Sequence, residues 1–454
     1  MFGMKLFPGG THPHEGVNGK AVNGGNAIVE LPAPARVVIP MSQHIGAPAT
    51  PVVRKGDVVL MGQKIGEAAG YVSAPVHASV SGKVVAVDEV DAPNGTKTLA
   101  VTIENDYQDA WTELHPAQHP ETMSARELQE LIREAGVVGM GGAGFPTSVK
   151  LTPPEGKSIE QLVINGAECE PYLTADHRLM VEKAAQIVDG VKLIMLALDI
   201  KRAVIGVEKN KPDAIDALRA CCTGVGGDGI TVMALPVMYP QGGEKQLVYA
   251  TTRRKVPTGG LPVDVGCVVC NVATVYAVQQ AIREGKPLIQ RVITMGGLVN
   301  NPGNFAVRMG TPVSALIEAC GGLKSNVQML VNGGPMMGTA LYCADVPVTK
   351  TTSGVLALGK EAIDPEENPC INCGRCVSTC PMQLVPTKLD LLVRFGEFEQ
   401  AEKAGVMNCM ECGACTFACP AKRLLTQSCR HGKRVINMRR KQEAARKAAE
   451  EAQE

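Results

Sequence analysis

The chain has 454 residues, with 45 basic and 45 acidic side chains and therefore no net charge. This balance provides no basic field for a nucleic-acid partner, and no apolar run approaches the roughly 20 residues that span a membrane. Met1–Gly10 lacks the apolar core of a secretion signal. The 16 cysteines therefore indicate a reducing compartment and metal binding rather than disulfides.

The first predicted domain is a small β-unit. Short runs of alternating apolar and polar residues, separated by glycines, are typical of such a unit. The segments Lys55–Gly66 and Val72–Val84 resemble the flattened barrel of lipoyl- and biotinyl-carrier domains. The hairpin Val76–Val80 lacks the carriers' lysine, and its His77 is interpreted as a surface turn residue. We therefore expect a scaffold barrel without a prosthetic group.

A glycine-rich segment follows a predicted helix. Ser124 and Glu127 form a capping pattern for a helix over residues 124–135. The spacing Gly139-x-Gly141-x-x-Gly144 matches the dinucleotide fingerprint, but that fingerprint normally follows a strand. Glycines let backbone amides approach a flat or anionic ligand closely, and a tight structural turn is the alternative. Helical and strand-like runs then alternate to about Ala281, which predicts α/β architecture.

Two further segments carry polar groups suited to a nucleotide. Glu168 and Glu170 follow the apolar run Leu162–Ile164, on a predicted turn after a strand. Carboxylates there suit ribose hydroxyls, although they are also consistent with ordinary surface acids. Gly242–Lys245 is a glycine turn that opens a helix, a position that suits phosphate. Downstream, a strand, a turn, a strand and a helix over residues 291–322 predict a β-grasp unit.

Eight cysteines form two copies of one spacing, C-x₂-C-x₂-C-x₃-C-P. This is the run of two-cluster ferredoxins, in which the fourth cysteine of each run binds the other cluster. Structural zinc prefers two separated pairs, so we predict two [4Fe–4S] clusters. Cluster A is assigned to Cys370, Cys373, Cys376 and Cys419, and cluster B to Cys380, Cys409, Cys412 and Cys415.

The other cysteines are interpreted mainly as packing residues. Cys267 and Cys270 lie in an apolar strand-like run, where packing is the simplest role, and Cys169 lies between two candidate ligand acids. The remaining thiols are interpreted as buried or incidental: Cys221, Cys222, Cys320, Cys343 and Cys429.

Several segments together resemble a known family. The segments at 139–150, 165–171, 242–245 and 271–274 look like the FMN- and NADH-binding segments of the complex I flavoprotein subunit. With the barrel, the β-grasp unit and the double cysteine run, the chain is similar to the RnfC subunits of Rnf-type ion-translocating electron transport complexes. Lys245 stands where the complex I relatives carry a second acid.

The resemblance implies the cofactor site. Glycines would approach the flavin and nucleotide phosphates, and Lys150 would supply a positive charge for a phosphate. Asn271 and Thr274 would line the flavin phosphate. The groups that would hold ribityl, ribose or nicotinamide are Asn165, Glu168, Glu170 and Glu244. The residues so implied are Gly139, Gly141, Gly142, Gly144, Phe145, Lys150, Asn165, Glu168, Glu170, Gly243, Glu244, Asn271 and Thr274. No catalytic acid, base or nucleophile is expected.

The resemblance also implies a function. We expect a peripheral subunit on the cytoplasmic face of the inner membrane, without a transmembrane segment, that transfers electrons between NADH, FMN and two [4Fe–4S] clusters. Its partners would be an iron–sulfur subunit and membrane subunits of an Rnf-type complex. A soluble NADH-dependent cobalamin reductase is the alternative enzyme, and a non-catalytic electron-wiring scaffold is the alternative of another class.

The predicted fold class is a multidomain mixture of α/β and α+β units. In chain order the predicted units are an N-terminal arm (1–30), a lipoyl-like barrel (31–105), an FMN/NADH-binding α/β domain (106–285), a β-grasp domain (286–350), a helical two-cluster ferredoxin domain (360–430) and a charged helical tail (431–454).

Overall fold

The computed structural model describes residues 7–13, 19–93, 95–222, 229–362 and 366–451. Along this part of the chain, a β-barrel, an α/β unit, a second β-unit and a helical cysteine-bearing unit follow one another. This mixed architecture confirms the predicted fold class. In the same ranges, no helix combines the length and the apolar character needed to cross a membrane.

The barrel follows a short helix, α1 (Lys20–Asn23), and a short strand, β1 (Ile28–Glu30). Two antiparallel sheets, in the orders β2-β8-β7-β4 and β3-β5-β6, enclose its core. Alternating inward residues such as Val37, Ile65 and Ile103 are completely buried there, as expected for strands with one apolar face. The strands are β2 (Arg36–Pro40), β3 (Thr50–Pro51), β4 (Val58–Val59), β5 (Lys64–Glu67), β6 (Val76–His77), β7 (Gly82–Asp91) and β8 (Lys97–Asn105).

The carrier-like hairpin of the barrel is buried, and the prediction of a surface histidine is therefore wrong. Only 6% of His77 is exposed. The Ser79 hydroxyl donates to the Met309 carbonyl at 2.5 Å, and Arg308 Nη1 donates to the Ser79 carbonyl at 2.9 Å. The hairpin thus anchors the barrel to a distant part of the chain, which no local pattern reveals.

The α/β unit is built on a parallel sheet in the order β11-β10-β9-β12. Its strands are β9 (Gln161–Gly166), β10 (Ala203–Glu208), β11 (Ile230–Leu235) and β12 (Cys267–Asn271). Its helices are α2 (Ala125–Glu134), α3 (Thr147–Lys150), α4 (Ala175–Glu182), α5 (Ala184–Leu198), α6 (Pro212–Cys222), α7 (Glu244–Thr252) and α8 (Val272–Glu284). The capping box predicted at Ser124 and Glu127 is present.

Both faces of the parallel sheet are covered. The larger apolar cluster includes residues of α2, α5 and α8, whereas a smaller cluster joins the sheet to α7. Parallel sheets are normally buried in this way, and their ligands bind beyond the carboxyl ends of the strands. That edge collects the segments that follow β9, β11 and β12, which contain the predicted cofactor residues Glu168, Glu170, Gly243, Glu244 and Thr274.

The second β-unit contains β13 (Gln290–Gly297), β14 (Gly303–Arg308), α9 (Val313–Ala319), β15 (Met329–Asn332), β16 (Thr339–Leu341) and β17 (Gly354–Leu358). Its mixed sheet has the order β1-β14-β13-β17-β15-β16. The edge strand β1 belongs to the predicted N-terminal arm and pairs in parallel with β14. The strand β17 lies beyond the predicted limit at residue 350. The sheet therefore draws on segments from outside the range predicted for it.

The cysteine-bearing unit is helical, as predicted. It contains α10 (Arg375–Thr379), α11 (Pro386–Arg394), α12 (Phe398–Lys403), α13 (Ala414–Ala418) and α14 (Leu425–Glu451). Between α11 and α12, Gly396 has a φ of +75°, which ends the first of these helices. The predicted boundary at residue 430 falls inside α14, whose buried Cys429 and Ile436 pack in the core of this unit.

Lys350 ties three units together. It is 1% exposed, and its Nζ donates to the carbonyls of Pro75 at 2.8 Å and Gly136 at 2.7 Å. Its backbone N–H donates to Gln43 Oε1 at 3.0 Å. The barrel, the start of the glycine segment and the end of the second β-unit thus meet at one buried amino group.

This burial predicts a pH dependence of stability. Burial lowers the pKa of Lys350 from 10.5 to about 7, so between these values the unfolded chain binds the extra proton. The free energy of unfolding therefore rises with pH in this window, by up to about 1.4 kcal/mol per pH unit from this group. We expect Lys350→Met to remove that slope and Lys83→Met, at an exposed position of β7, to leave it. Equal slopes in chemical unfolding of all three proteins would contradict this origin.

Candidate functional site

The glycine segment forms an exposed loop between α2 and α3. Gly139 N–H donates to the Phe145 carbonyl at 2.8 Å and closes the loop at its base. Three small residues, Gly141–Ala143, are exposed at its tip. A Cβ on Gly142 would meet no atom within 4 Å, whereas one on Gly141 would lie 3.0 Å from Asn271 Cβ. The loop therefore offers bare backbone to a ligand on one side and is supported by protein on the other.

The end of β12 supports this loop. Asn271 caps α8 by accepting from Ala273 N–H at 2.8 Å, and its Nδ2 donates to Asp176 Oδ2 at 2.6 Å. The Thr274 hydroxyl accepts from Met140 N–H at 2.9 Å. The predicted residues Asn271 and Thr274 thus lie beside the glycine loop and hold its backbone.

A positive charge lies at the end of α3, the helix that follows the loop. Lys150 Nζ donates to Glu244 Oε1 at 2.9 Å and to the Val269 carbonyl at 2.9 Å. Burial alone would lower the pKa of Lys150, but the charge of Glu244 raises it above its ordinary value. Lys150 therefore stays protonated, and its pairing with Glu244 links α3 to the beginning of α7.

The end of β9 and the segment after it both contact the turn before α7. Asn165 Nδ2 donates to the Gly242 carbonyl at 3.0 Å, and Gly242 N–H donates to Cys169 Sγ at 3.3 Å. Gly243, the helix N-cap of α7, follows directly. The structure therefore brings Asn165, Gly243 and Glu244 together at the carboxyl edge of the sheet.

The two predicted acids have different surroundings. The carboxylate of Glu168 accepts from the backbone N–H groups of Asp176 at 2.7 Å and His177 at 3.1 Å and so stabilises the first turn of α4. Glu170 instead accepts from Met336 N–H at 3.0 Å and lies 3.2 Å from the Tyr239 hydroxyl. Burial raises the pKa of both acids. They are therefore not free surface acids, and each oxygen of Glu168 retains a second lone pair for a ligand.

Two residues at this site carry no signal that predicts them from sequence. Asp176 binds Asn271, but at the sequence level it looks like an ordinary acid in the first turn of a helix. Gln241 is completely buried, and neither polar atom of its side chain has a partner among the described residues. A buried amide without partners is uncommon in folded proteins and fits a site that receives a polar ligand or water. No local pattern distinguishes Gln241 from other glutamines.

The eight repeated cysteines line two cavities. Cavity A is lined by Cys370, Cys373, Cys376 and Cys419, around about 520 Å³ of empty space that is partly open to solvent. Cavity B is lined by Cys380, Cys409, Cys412 and Cys415, around about 370 Å³. Each cavity therefore takes three cysteines from one run and the fourth from the other.

The two cysteine runs have the same backbone conformation. Left-handed residues occur at matching positions, in the pairs Asn372 and Glu411, Gly374 and Gly413, and Gln383 and Lys422. In each run a backbone N–H points to the first sulfur, because Asn372 N–H lies 3.4 Å from Cys370 Sγ and Glu411 N–H lies 3.4 Å from Cys409 Sγ. Such donors stabilise a thiolate ligand. In both cavities, these N–H groups would therefore stabilise negative charge on the first sulfur of the run.

Cavity B lies against the carboxyl edge of the parallel sheet. The Tyr239 hydroxyl donates to the Cys412 carbonyl at 2.6 Å, and Gln246 Nε2 donates to Met382 Sδ at 3.4 Å. A Cβ on Gly243 would lie 2.7 Å from Met410 Cε. Met382, Met410 and Cys412 all line cavity B, so the turn before α7 and the first turn of α7 pack against the wall of this cavity.

The amino-terminal segment packs at the junction between the turn before α7 and the cysteine-bearing unit. Thr11 and Tyr239 exchange two backbone hydrogen bonds of 2.8 Å, and Gly10 N–H donates to the Thr379 carbonyl at 2.8 Å. A Cβ on Gly9 would lie 2.6 Å from the Cys380 carbonyl oxygen. Residues 9–11 therefore run between the turn before α7 and the first cysteine run.

Comparison with known protein families gives the same order of units. The RnfC barrel sandwich hybrid domain matches residues 5–108, the Nuo51 FMN-binding domain matches 132–280, the SLBB domain matches 292–340, and a 4Fe-4S dicluster domain matches 369–424.

Several relatives match nearly the whole chain. The RnfC subunit of the proton-translocating ferredoxin:NAD(+) oxidoreductase complex of Clostridium ljungdahlii is 46% identical over 432 residues, which cover 94% of this chain and 93% of that protein. Its counterpart in the Na(+)-translocating complex of Acetobacterium woodii is 45% identical over 448 residues, covering 96% and 98%. The chain belongs to this RnfC family. The RnfC relative in the ion-translocating oxidoreductase complex of Rhodobacter capsulatus is 42% identical over 403 residues, covering 88% and 77%.

A solved structure shares the fold of this RnfC chain. A chain of an NAD+-reducing [NiFe]-hydrogenase in its H2-reduced state aligns with a TM-score of 0.50 at 17% identity, over 69% of this chain and 65% of that one. The chain has the RnfC type of barrel at residues 5–108. This barrel favours the RnfC family over the alternative of a cobalamin reductase.

The two sites fit the cofactors that the family domains imply. In the FMN-binding domain, Gly141–Ala143 expose backbone, Gly142 has open space before it, and Lys150 carries a positive charge at the end of α3. These features suit a flat ligand with a phosphate. In the dicluster domain, four thiols surround each cavity, which suits thiolate ligands of a [4Fe–4S] cluster.

Proposed function

We propose that the chain is the peripheral subunit of a membrane-bound, ion-translocating ferredoxin:NAD oxidoreductase that oxidises NADH or reduces NAD. Electrons pass between NADH, FMN and two [4Fe–4S] clusters held by this chain. The observation that carries the proposal is the junction at Tyr239–Gln246, where the carboxyl edge of the FMN-binding domain contacts the residues that line cavity B.

The chain's own residues have defined roles in this proposal. The loop Gly139–Gly144 presents its backbone to FMN, and Asn271 and Thr274 hold that loop in place. Lys150 provides positive charge near phosphate, and Glu244 keeps Lys150 oriented by accepting its hydrogen bond. Phe145 closes the base of the loop through its carbonyl. When bound, FMN accepts an electron pair from NADH and releases the electrons one at a time.

The acids and amides near the strand ends are assigned to the nucleotides. Asn165 lies on the sheet edge beside Gly242 and Gly243, where a ribityl or ribose hydroxyl can be bound. Glu168 and Glu170 supply acceptors for hydroxyl or amide groups of the nicotinamide nucleotide through the lone pairs that their protein partners leave free.

In this proposal, one cavity is closer to the FMN-binding domain than the other. Cavity B contacts the turn before α7, so we assign its cluster, cluster B, as the inner one. Cys370 and Cys373 of cavity A are exposed, so cluster A is the outer one and faces other redox proteins. The partners are an iron–sulfur subunit and membrane subunits of the complex, and the chain binds them at the cytoplasmic face of the inner membrane.

Anaerobic reconstitution tests the enzymatic proposal. The purified full-length chain should hold about eight irons, as two [4Fe–4S] clusters require, and one FMN. NADH should bleach the flavin absorbance and then reduce both clusters. Retained iron without flavin, together with no heat of NADH binding in calorimetry, would instead support the electron-wiring scaffold. Recovery from detergent-solubilised membranes with associated subunits tests the assignment of partners and location.

A further inference from the structure

A fifth cysteine, Cys429, lines cavity B in addition to the four that belong to the repeated runs. Cys429 lies in α14, outside both repeated runs and beyond residue 424, where the match to the dicluster domain ends. It is 1% exposed and borders the same cavity as Cys380, Cys409, Cys412 and Cys415. Its side chain packs in the apolar cluster of this unit, against which Cys409 also packs. A thiol that the cluster motif does not require therefore lies beside one of the motif's ligands.

The surroundings of Cys429 keep its thiol protonated. It packs in an apolar cluster with Leu389, Val393, Val406 and Ile436, and a cysteine in apolar surroundings resists ionisation. An S–H group is a weak donor. Cys409, as an iron ligand, would carry negative charge on its sulfur. The expected arrangement is therefore an S–H···S hydrogen bond in which Cys429 donates and Cys409 accepts.

The two cavities differ at this position. Cys370 occupies the place in the first run that Cys409 occupies in the second, and its extra neighbour is the Thr387 hydroxyl at 3.5 Å. Cys370 is exposed, whereas Cys409 is half-buried and has Cys429 beside it. A hydrogen bond to a cluster sulfur has more influence where water is excluded. The same ligand position is therefore tuned differently in the two cavities.

We propose that Cys429 is a positioning residue of cavity B, and that it donates a hydrogen bond to Cys409 and thereby raises the reduction potential of cluster B. The inference rests on the proposed function, because it requires an iron–sulfur cluster in this cavity. Reduction adds negative charge to the cluster, and a donor at a ligand sulfur stabilises the more negative state. Cys429 thereby makes cluster B a better electron acceptor from the flavin side.

Redox titration of the full-length chain with both clusters loaded tests this inference. The signal of cluster B is identified by electron paramagnetic resonance in a Cys373→Ala background that lacks cluster A. Cys429→Ala should lower the reduced-to-oxidised ratio of cluster B at the original midpoint potential by up to about tenfold, which equals about 59 mV for one electron. Cys429→Ser, which keeps a donor, should shift the ratio less. Neither change should alter the potential of cluster A.

A matched control separates tuning from packing. Cys320→Ala removes a thiol that is equally buried in the second β-unit and should leave both potentials unchanged. An unchanged midpoint of cluster B in Cys429→Ala, or equal shifts of both clusters, would overturn the inference. Loss of about four irons in Cys429→Ala would do so as well, because Cys429 would then be a ligand. Four irons in the unaltered chain would refute the proposed function itself.

Discussion

Cys412→Ala is expected to leave NADH able to bleach the flavin while electrons no longer reach the outer cluster. Cys412 lines cavity B, and its carbonyl accepts the hydrogen bond of Tyr239 from the FMN-binding domain. Loss of one of its four ligands should empty this cavity and lower the iron content from about eight to about four. Cluster A should still assemble, but without the inner cluster it should stay oxidised after NADH is added.

Cys373→Ala provides the opposite case. Cys373 is exposed and lines cavity A, so its loss should remove the outer cluster alone. NADH should then still reduce the cluster in cavity B, as seen by electron paramagnetic resonance. Cys343→Ala, at a half-buried cysteine of the second β-unit, should behave as the unaltered chain. Reduction of cluster A by NADH in Cys412→Ala, at the wild-type rate, would contradict the assigned order.

Gly142→Val should weaken flavin binding at least tenfold without unfolding the chain. Gly142 is exposed, its φ is not left-handed, and a Cβ there would meet no protein atom within 4 Å. A surface substitution of this kind normally changes stability by no more than about 0.5 kcal/mol. The added side chain would occupy the space proposed for FMN, so FMN affinity should fall at least tenfold, equivalent to about 1.4 kcal/mol.

The control for Gly142→Val is Gly25→Val. Gly25 is also exposed, without a left-handed φ and with open space at its Cβ position, but it lies away from the glycine loop. FMN content after gentle purification and thermal melting of the flavin-free proteins give the two readouts. Full FMN occupancy in Gly142→Val would mean that the flavin does not contact this part of the loop.

The predicted secondary structure depends largely on local signals and is largely confirmed. The capping box at Ser124 and Glu127 forms as predicted, because its hydrogen bonds join residues three positions apart. The apolar run Val191–Ile200 lies mostly in α5, a largely buried helix. The helices α11 and α12 are divided at Gly396, where a left-handed φ ends the first helix. Local chemistry therefore specifies these elements and their ends.

Long-range contacts explain the predictions that are wrong or incomplete. The local pattern places His77 at the surface, but Arg308 and Met309 cover its hairpin from about 230 positions away in the chain. β1 lies in the predicted arm, yet it completes a sheet with β14. Lys350 and Gln241 carry no local pattern, and their burial follows from how the units pack. Such contacts join residues that are far apart in the sequence, so no periodic pattern in the sequence indicates them.

Residue types at short spacing are enough to specify the iron–sulfur chemistry of the chain, because the two cysteine runs predict two clusters. The flavin and the nicotinamide nucleotide are implied instead by the resemblance of the glycine loop and the acids after β9 to a known family. How these parts meet depends instead on the folded arrangement of the units. The turn before α7 lies against cavity B, residues 9–11 close the junction, and Cys429 adds a thiol beside Cys409. These contacts arise from packing between separate units, which brings together residues that are far apart in the sequence.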